Sequence, residues 1–171
     1  MRIFCTEESE GCMQESIRLV LMELGGILQM ELPEGFRETG EEKMHQCYPC
    51  GEQPDILLEG CDGVQMTGRF TERKLETDRI RPAAEEIREM AEETFPEYGI
   101  SPVYLCTEGE MSVGWFRMEM TGKGFEHVKA IGTAEGRMVM LTFTYPEAEA
   151  IKWRSILRQS FRTWRVCNGK N

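Results

Sequence analysis

The residues best suited to chemistry gather in one short stretch, His45-Gln46-Cys47-Tyr48-Pro49-Cys50, followed by Cys61. Two thiols separated by two residues can chelate one zinc ion, and His45 and Cys61 could complete a tetrahedron. A structural zinc site ordinarily brings a second close ligand pair. Here one pair stands with isolated residues, so free cysteines in a loop are the simpler reading. If Glu41 to Tyr48 is helical, His45 and Cys47 also point to different sides. A redox role for Cys47 and Cys50 would need the pair to open a helix behind a buried strand, where the helix N-terminus lowers the thiol pKa. Pro49 and Gly51 instead sit between a short helix and a loop. Cysteine–histidine catalysis needs thiol, base and orienting group together. His45 and His127 are the two imidazoles. His127 falls on a predicted strand with Lys129 and Ile131 on its face and reads as a partly exposed strand residue. Cys106 reads as a small core residue.

Paired carboxylates occur at Glu41-Glu42, Glu85-Glu86 and Glu92-Glu93. All fall on polar helix faces, whereas acid–base work needs burial to shift a pKa. Gly122-Lys123-Gly124 lacks the strand–loop–helix setting of a phosphate loop. Arg154, Arg158, Arg162 and Arg165 run down one side of the closing predicted helix. The plain reading is a solvated face whose cations suit the negative helix end and pair with the chain's own glutamates. The functional reading is docking of an acidic partner segment through bidentate bonds. Met118 and Met120, with Met138 and Met140, lie on consecutive predicted strands. Methionine fills core gaps by default, but an open patch would make an adaptable groove for apolar peptides.

These residues need elements to position them. Ile17 to Leu24 fits either a helical stripe or a strand. Ile27 to Leu32 reads as a strand stopped by Pro33. Asp55 to Glu59 and Val64 to Thr71 form a hairpin around Gly60-Cys61-Asp62-Gly63. Its return strand alternates Val64, Met66, Gly68 and Phe70 against Gln65, Thr67, Arg69 and Thr71. A helix begins between Asp78, a possible N-cap, and Pro82, with Ile80, Ala84, Ile87 and Ala91 as its apolar stripe. Strands follow at Val103 to Thr107, Val113 to Thr121, Glu126 to Thr133 and Met138 to Tyr145, the last two joined by Ala134 to Arg137. Pro146 then starts a helix running from Ile151 to Val166, with Trp153, Leu157, Phe161 and Trp164 as its apolar stripe. Adjacent hairpins with helices between and after them give an α+β sandwich.

At 171 residues the chain is long enough for a real core and short enough for one domain. Its net charge of −10 argues against nucleic acid and against anionic membrane surfaces. Leu19 to Met22 stops at Glu23, far short of a membrane span. Met1 to Cys5 runs into acidic residues without the apolar core of a signal peptide. With seven cysteines, an odd count, the expectation is a cytoplasmic protein with free thiols.

Three segments resemble the PsbP-like family, whose fold is shared by the Ran-binding nuclear import factor of that superfamily and by DcrB-like bacterial proteins. They are Gly26 to Phe36 with its Leu32-Pro33-Glu34-Gly35-Phe36 turn, Glu135 to Pro146, and the closing helix with Ile156-Leu157 and Ser160-Phe161. The resemblance implies an antiparallel sheet of about six strands between helices. It covers about residues 26–166, so that residues 26–171 read as one domain and residues 1–25 as an N-terminal extension. It also implies non-catalytic work, because such proteins assist assemblies or bind partners. The expected function is therefore an adaptor that engages a protein or peptide through its sheet face or C-terminal helix. The expected contacts are Arg154, Arg158, Arg162, Arg165, Met118 and Met120, with no cofactor. The alternative is a zinc- or thiol-dependent protein built on Cys47 and Cys50, with His45 and Cys61.

Overall fold

A computed structural model describes residues 3–5, 16–49, 53–120 and 122–167. The strands are β1 (Ile3–Cys5), β2 (Ser16–Leu24), β3 (Leu28–Pro33), β4 (Arg37–Glu38), β5 (Ile56–Glu59), β6 (Gln65–Lys74), β7 (Gly99–Ile100), β8 (Tyr104–Cys106), β9 (Val113–Glu119), β10 (Phe125–Ala134), β11 (Arg137–Pro146) and β12 (Arg165–Val166). The helices are α1 (Glu41–Cys47), α2 (Ile80–Thr94) and α3 (Ala150–Phe161). Eight strands form an antiparallel sheet in the order β4-β5-β6-β11-β10-β9-β7, with β8 also paired to β9. A second antiparallel sheet has the order β1-β2-β3-β12. The α+β class therefore holds, with a broader main sheet than the expected six strands and a second sheet that the sequence did not announce.

The hairpin of β10 and β11 is the backbone of the fold. Ala134 pairs with Arg137 across Glu135-Gly136, and both turn residues have positive φ, at 53° and 75°. Two left-handed residues make the mirror-image turn whose twist suits a two-residue hairpin. From there the period-two alternation sends Val139, Leu141, Phe143 and Tyr145 to one face and Met138, Met140, Thr142 and Thr144 to the other.

The first face packs under α3 and the second sheet. Its core joins Phe143 and Tyr145 to Trp153, Leu157 and Phe161 of α3 and to Leu28, Met30 and Leu32 of β3. The second face packs under α2, whose Ile80, Ala83, Ala84 and Ala91 meet Phe116, Met118, Ile131 and Met138. Asp78 does not cap α2. It lies in the 3-10 turn Thr77–Arg79, and Arg79 is the residue before the helix.

The closing helix ends earlier than its apolar stripe implies. Thr163 Oγ1 donates to Ser160 O at 2.6 Å and accepts from Glu31 N at 2.8 Å, which turns the chain onto β3. Arg165 and Val166 then pair with Gln29 and Leu28 as β12. Trp164 is fully buried beyond the helix, with its Nε1 donating to Thr133 O at 3.1 Å. It lies against Gly132, where an added Cβ would stand 2.6 Å from the indole. Ile17 to Leu24, ambiguous by pattern, is strand. A hairpin spans the boundary drawn at residue 25, because β2 pairs with β3 and Leu19 and Leu24 are buried in the main core.

Candidate functional site

A single helix cannot cover an eight-stranded face. A helix is about 10 Å across, roughly two strand spacings. Accordingly α2 lies over β9 and β10. The neighbouring part of that face changes character along each strand at a common register. On β10 and β11, Ile131 pairs with Met140, and both pack under α2. The next pairs on the same face are Lys129 with Thr142, then His127 with Thr144. On β6, Thr67 stands beside Thr142 and Gln65 beside Thr144. All six polar residues are half-buried.

The result is a polar strip floored by β-strand side chains and concave at its outer end. One wall is the C-terminal end of α2, where the Tyr98 ring lies 6.0 Å from that of His127 and Phe95 packs on Tyr98. The other wall is reached through Arg69, whose Nη1 approaches Gln53 O at 3.5 Å, while Gln53 Nε2 lies 2.7 Å from His45 Nδ1 of α1. At the outer end a concavity of about 320 Å³ is lined by Gln65, Tyr98, Lys123, Phe125, His127 and Thr144.

Lys129 Nζ donates to Thr142 Oγ1 at 3.1 Å, and no carboxylate pairs with it among the described residues. Burial, reinforced by the charge of Arg69, holds its pKa below the ordinary lysine value. Burial and the charge of Lys129 likewise lower the pKa of His127 against a weaker opposing effect of Glu126. An imidazole displaced downward is neutral at pH 7. His127 Nδ1 and Thr144 Oγ1 are 2.8 Å apart. That is the reach of a nucleophile and base, but among the described residues no carboxylate orients the imidazole. The arrangement is equipped to hold an anion beside hydroxyl groups.

The opposite face of the same strands carries a closed charge network. Glu126, 1% exposed, accepts from the Tyr145 hydroxyl and, in a bidentate pair, from Nε and Nη2 on one edge of the Arg154 guanidinium, with Nε at 3.0 Å from Oε2. Burial raises the Glu126 carboxyl, but the bonds from Arg154 and Tyr145 and the charges of Arg154 and Arg117 outweigh it and leave the pKa lowered. Burial and the Glu126 carboxylate raise that of Tyr145.

This network corrects the arginine stripe. Arg154 is bound inward to Glu126 and lies 3.6 Å from Glu119. Arg162 pairs with Glu108 at 2.7 Å, and Arg158 sits over the Trp115 ring at 5.9 Å. Arg165 belongs to β12, not to the helix. The four side chains therefore do not form one free cationic surface. The two methionines also part: Met118 is 4% exposed beneath α2, which makes it packing, and Met120 follows β9 half-buried. Cys47 and Cys61 are exposed free thiols, and Cys50 lies outside the described residues. Among the described residues, His45, Cys47 and Cys61 are not brought into a metal-binding group.

Sequence reasoning passed over Lys129, Thr142 and Thr144 as ligands and read His127 as an ordinary strand residue. The available sign was the switch from apolar to polar on one face of two paired strands at the same register.

No family model and no curated protein matches the sequence. Solved structures do match its fold. Cyanobacterial PsbP (CyanoP) from Synechocystis sp. PCC 6803 aligns with a TM-score of 0.56 at 11% identity, over 94% of this chain and 97% of that one. LpqN of Mycobacterium tuberculosis, described as involved in cell envelope biogenesis, aligns with a TM-score of 0.50 at 10% identity, over 88% and 91%. The chain has the PsbP-like fold.

Proposed function

We propose that this protein is a non-catalytic binding module that docks a segment of a partner protein along the polar groove beside α2. The observation that carries the reading is Lys129: a half-buried cation, bonded to a hydroxyl and unmatched by an acid among the described residues, in a chain of net charge −10. Among the described residues no carboxylate answers this cation, and we read it as kept for an acidic group of a partner to neutralise. The PsbP-like fold supports the reading at the coarse level, since the resemblance implies accessory work.

The test is recovery of a stoichiometric partner from the organism's own cells with three baits. The unsubstituted protein and Arg158→Glu should retain the partner, and Lys129→Glu should lose it. Retention by Lys129→Glu with loss on Arg158→Glu would move the interface to α3. Turnover of a small molecule by the purified protein would overturn the non-catalytic assignment.

A further inference from the structure

We propose that the groove is built for an extended peptide segment bearing a carboxylate at Lys129 and a large apolar side chain at the Phe125–Tyr98 shelf. The inference rests on the binding reading above and names the chemistry of what is bound.

A lysine ammonium carries three donors, and Thr142 takes one. The group is largely withdrawn from water beside a second cation, Arg69. A carboxylate placed there removes the repulsion and satisfies the donors with charge-assisted bonds. The Thr144 hydroxyl and neutral His127 continue the floor outward from it.

At the outer end the chemistry changes. Phe125 is 45% exposed and Phe95 41%, and Tyr98 stands between Phe95 and His127. Phe125 and Lys129 share one face of β10, four residues apart. At about 3.3 Å per residue their side chains emerge about 13 Å apart. That distance is spanned by residues about four positions apart in an extended ligand. The concavity of about 320 Å³ at the Phe125 end holds one large side chain.

The chain also selects against polyanions, which would meet a net charge of −10.

The test is fluorescence polarisation with a labelled serine-rich peptide carrying one Glu and one Trp about four positions apart. Its Gln counterpart and inorganic phosphate serve as controls. The Glu peptide should bind about tenfold more tightly than the Gln peptide. Lys129→Met should abolish that difference, Lys129→Arg should restore part of it, and Phe125→Ser should weaken both peptides alike. Equal binding of the two peptides would overturn the carboxylate subsite, as would a Glu preference that survives Lys129→Met. Displacement of the Glu peptide by an equal concentration of phosphate would overturn it in favour of a small-anion site. If the Glu and Gln peptides bind alike while Lys129→Glu still loses the cellular partner, the subsite falls and the binding reading stands.

Discussion

Glu126 and Lys129 lie three positions apart on β10, on opposite faces of one sheet, and the protein treats their charges in opposite ways. Glu126 is buried and fully answered: one edge of Arg154 in a bidentate pair, the Tyr145 hydroxyl and the nearby charge of Arg117 surround it. Lys129 is half-buried and answered by one hydroxyl and a like charge. The first arrangement fixes α3 onto the sheet. The second leaves a cation whose best partner is not among the described residues of the chain. Ionisable groups that look equally suggestive in the sequence thus separate by whether the fold neutralises them.

The contrast can be broken by substitution. The largest effect is expected from Arg154→Ala, which leaves the Glu126 carboxylate buried without its cation. It should cost about 3–5 kcal/mol in urea unfolding. Glu126→Gln combined with Arg154→Met should cost much less than the two single changes summed. If the costs simply add, the pair is not coupled and the closed network is misread. Gly132→Ala, also on the closed face, should cost about 1–3 kcal/mol by driving a methyl into Trp164, whereas Thr142→Ala on the open face should stay within about 0.5 kcal/mol. Lys129→Met should raise stability by up to about 1 kcal/mol, since it replaces a desolvated cation, unmatched by an acid among the described residues, with an apolar chain of similar length. A clear loss of stability would mean that Lys129 is a structural group.

Acid titration sharpens the same comparison. The lowered carboxyl of Glu126 stabilises the fold above its ordinary value of 4.5 and loses that contribution as pH falls through the folded value. The groups facing it are Arg154 from α3, Tyr145 from β11, and Arg117 and Glu119 from β9. Glu126→Gln should therefore flatten the loss of stability below about pH 4.5, while Lys129→Met should leave that limb unchanged.

Much of the fold was legible because its main elements are local. The β5–β6 and β10–β11 hairpins carry period-two alternation and turn residues, and α2 carries a clear apolar stripe. The second sheet was not legible, because β12 is two residues long and pairs with a strand far away in sequence. Trp164 continues the helical spacing from Phe161, so periodicity carries the helix past its end. The tie of Thr163 to Glu31 and the pairing of β12 with β3, both long-range, turn the chain out of the helix. Pairing with the chain's own glutamates, the plain reading of the arginine stripe, is seen at Arg154 and Arg162, but the pattern could not name Glu126 and Glu108 because they are distant in sequence. Core, the default reading of the methionines, is where Met118 and Met138 lie, but nothing local shows that α2 is what folds back over them. The groove was half legible: the alternation placed His127, Lys129 and Ile131 on one face, but the edge of α2 decides which of them is covered.

The most direct test of the account is a backbone amide nuclear magnetic resonance titration of the isotope-labelled protein with the Glu-and-Trp peptide. Shifts concentrated at Gln65, Thr67, Phe125, His127, Lys129, Thr142 and Thr144, and absent in Lys129→Met, are the expected result. Shifts centred on Arg158 and Arg162 of the closing segment, with the groove unmoved, would contradict it.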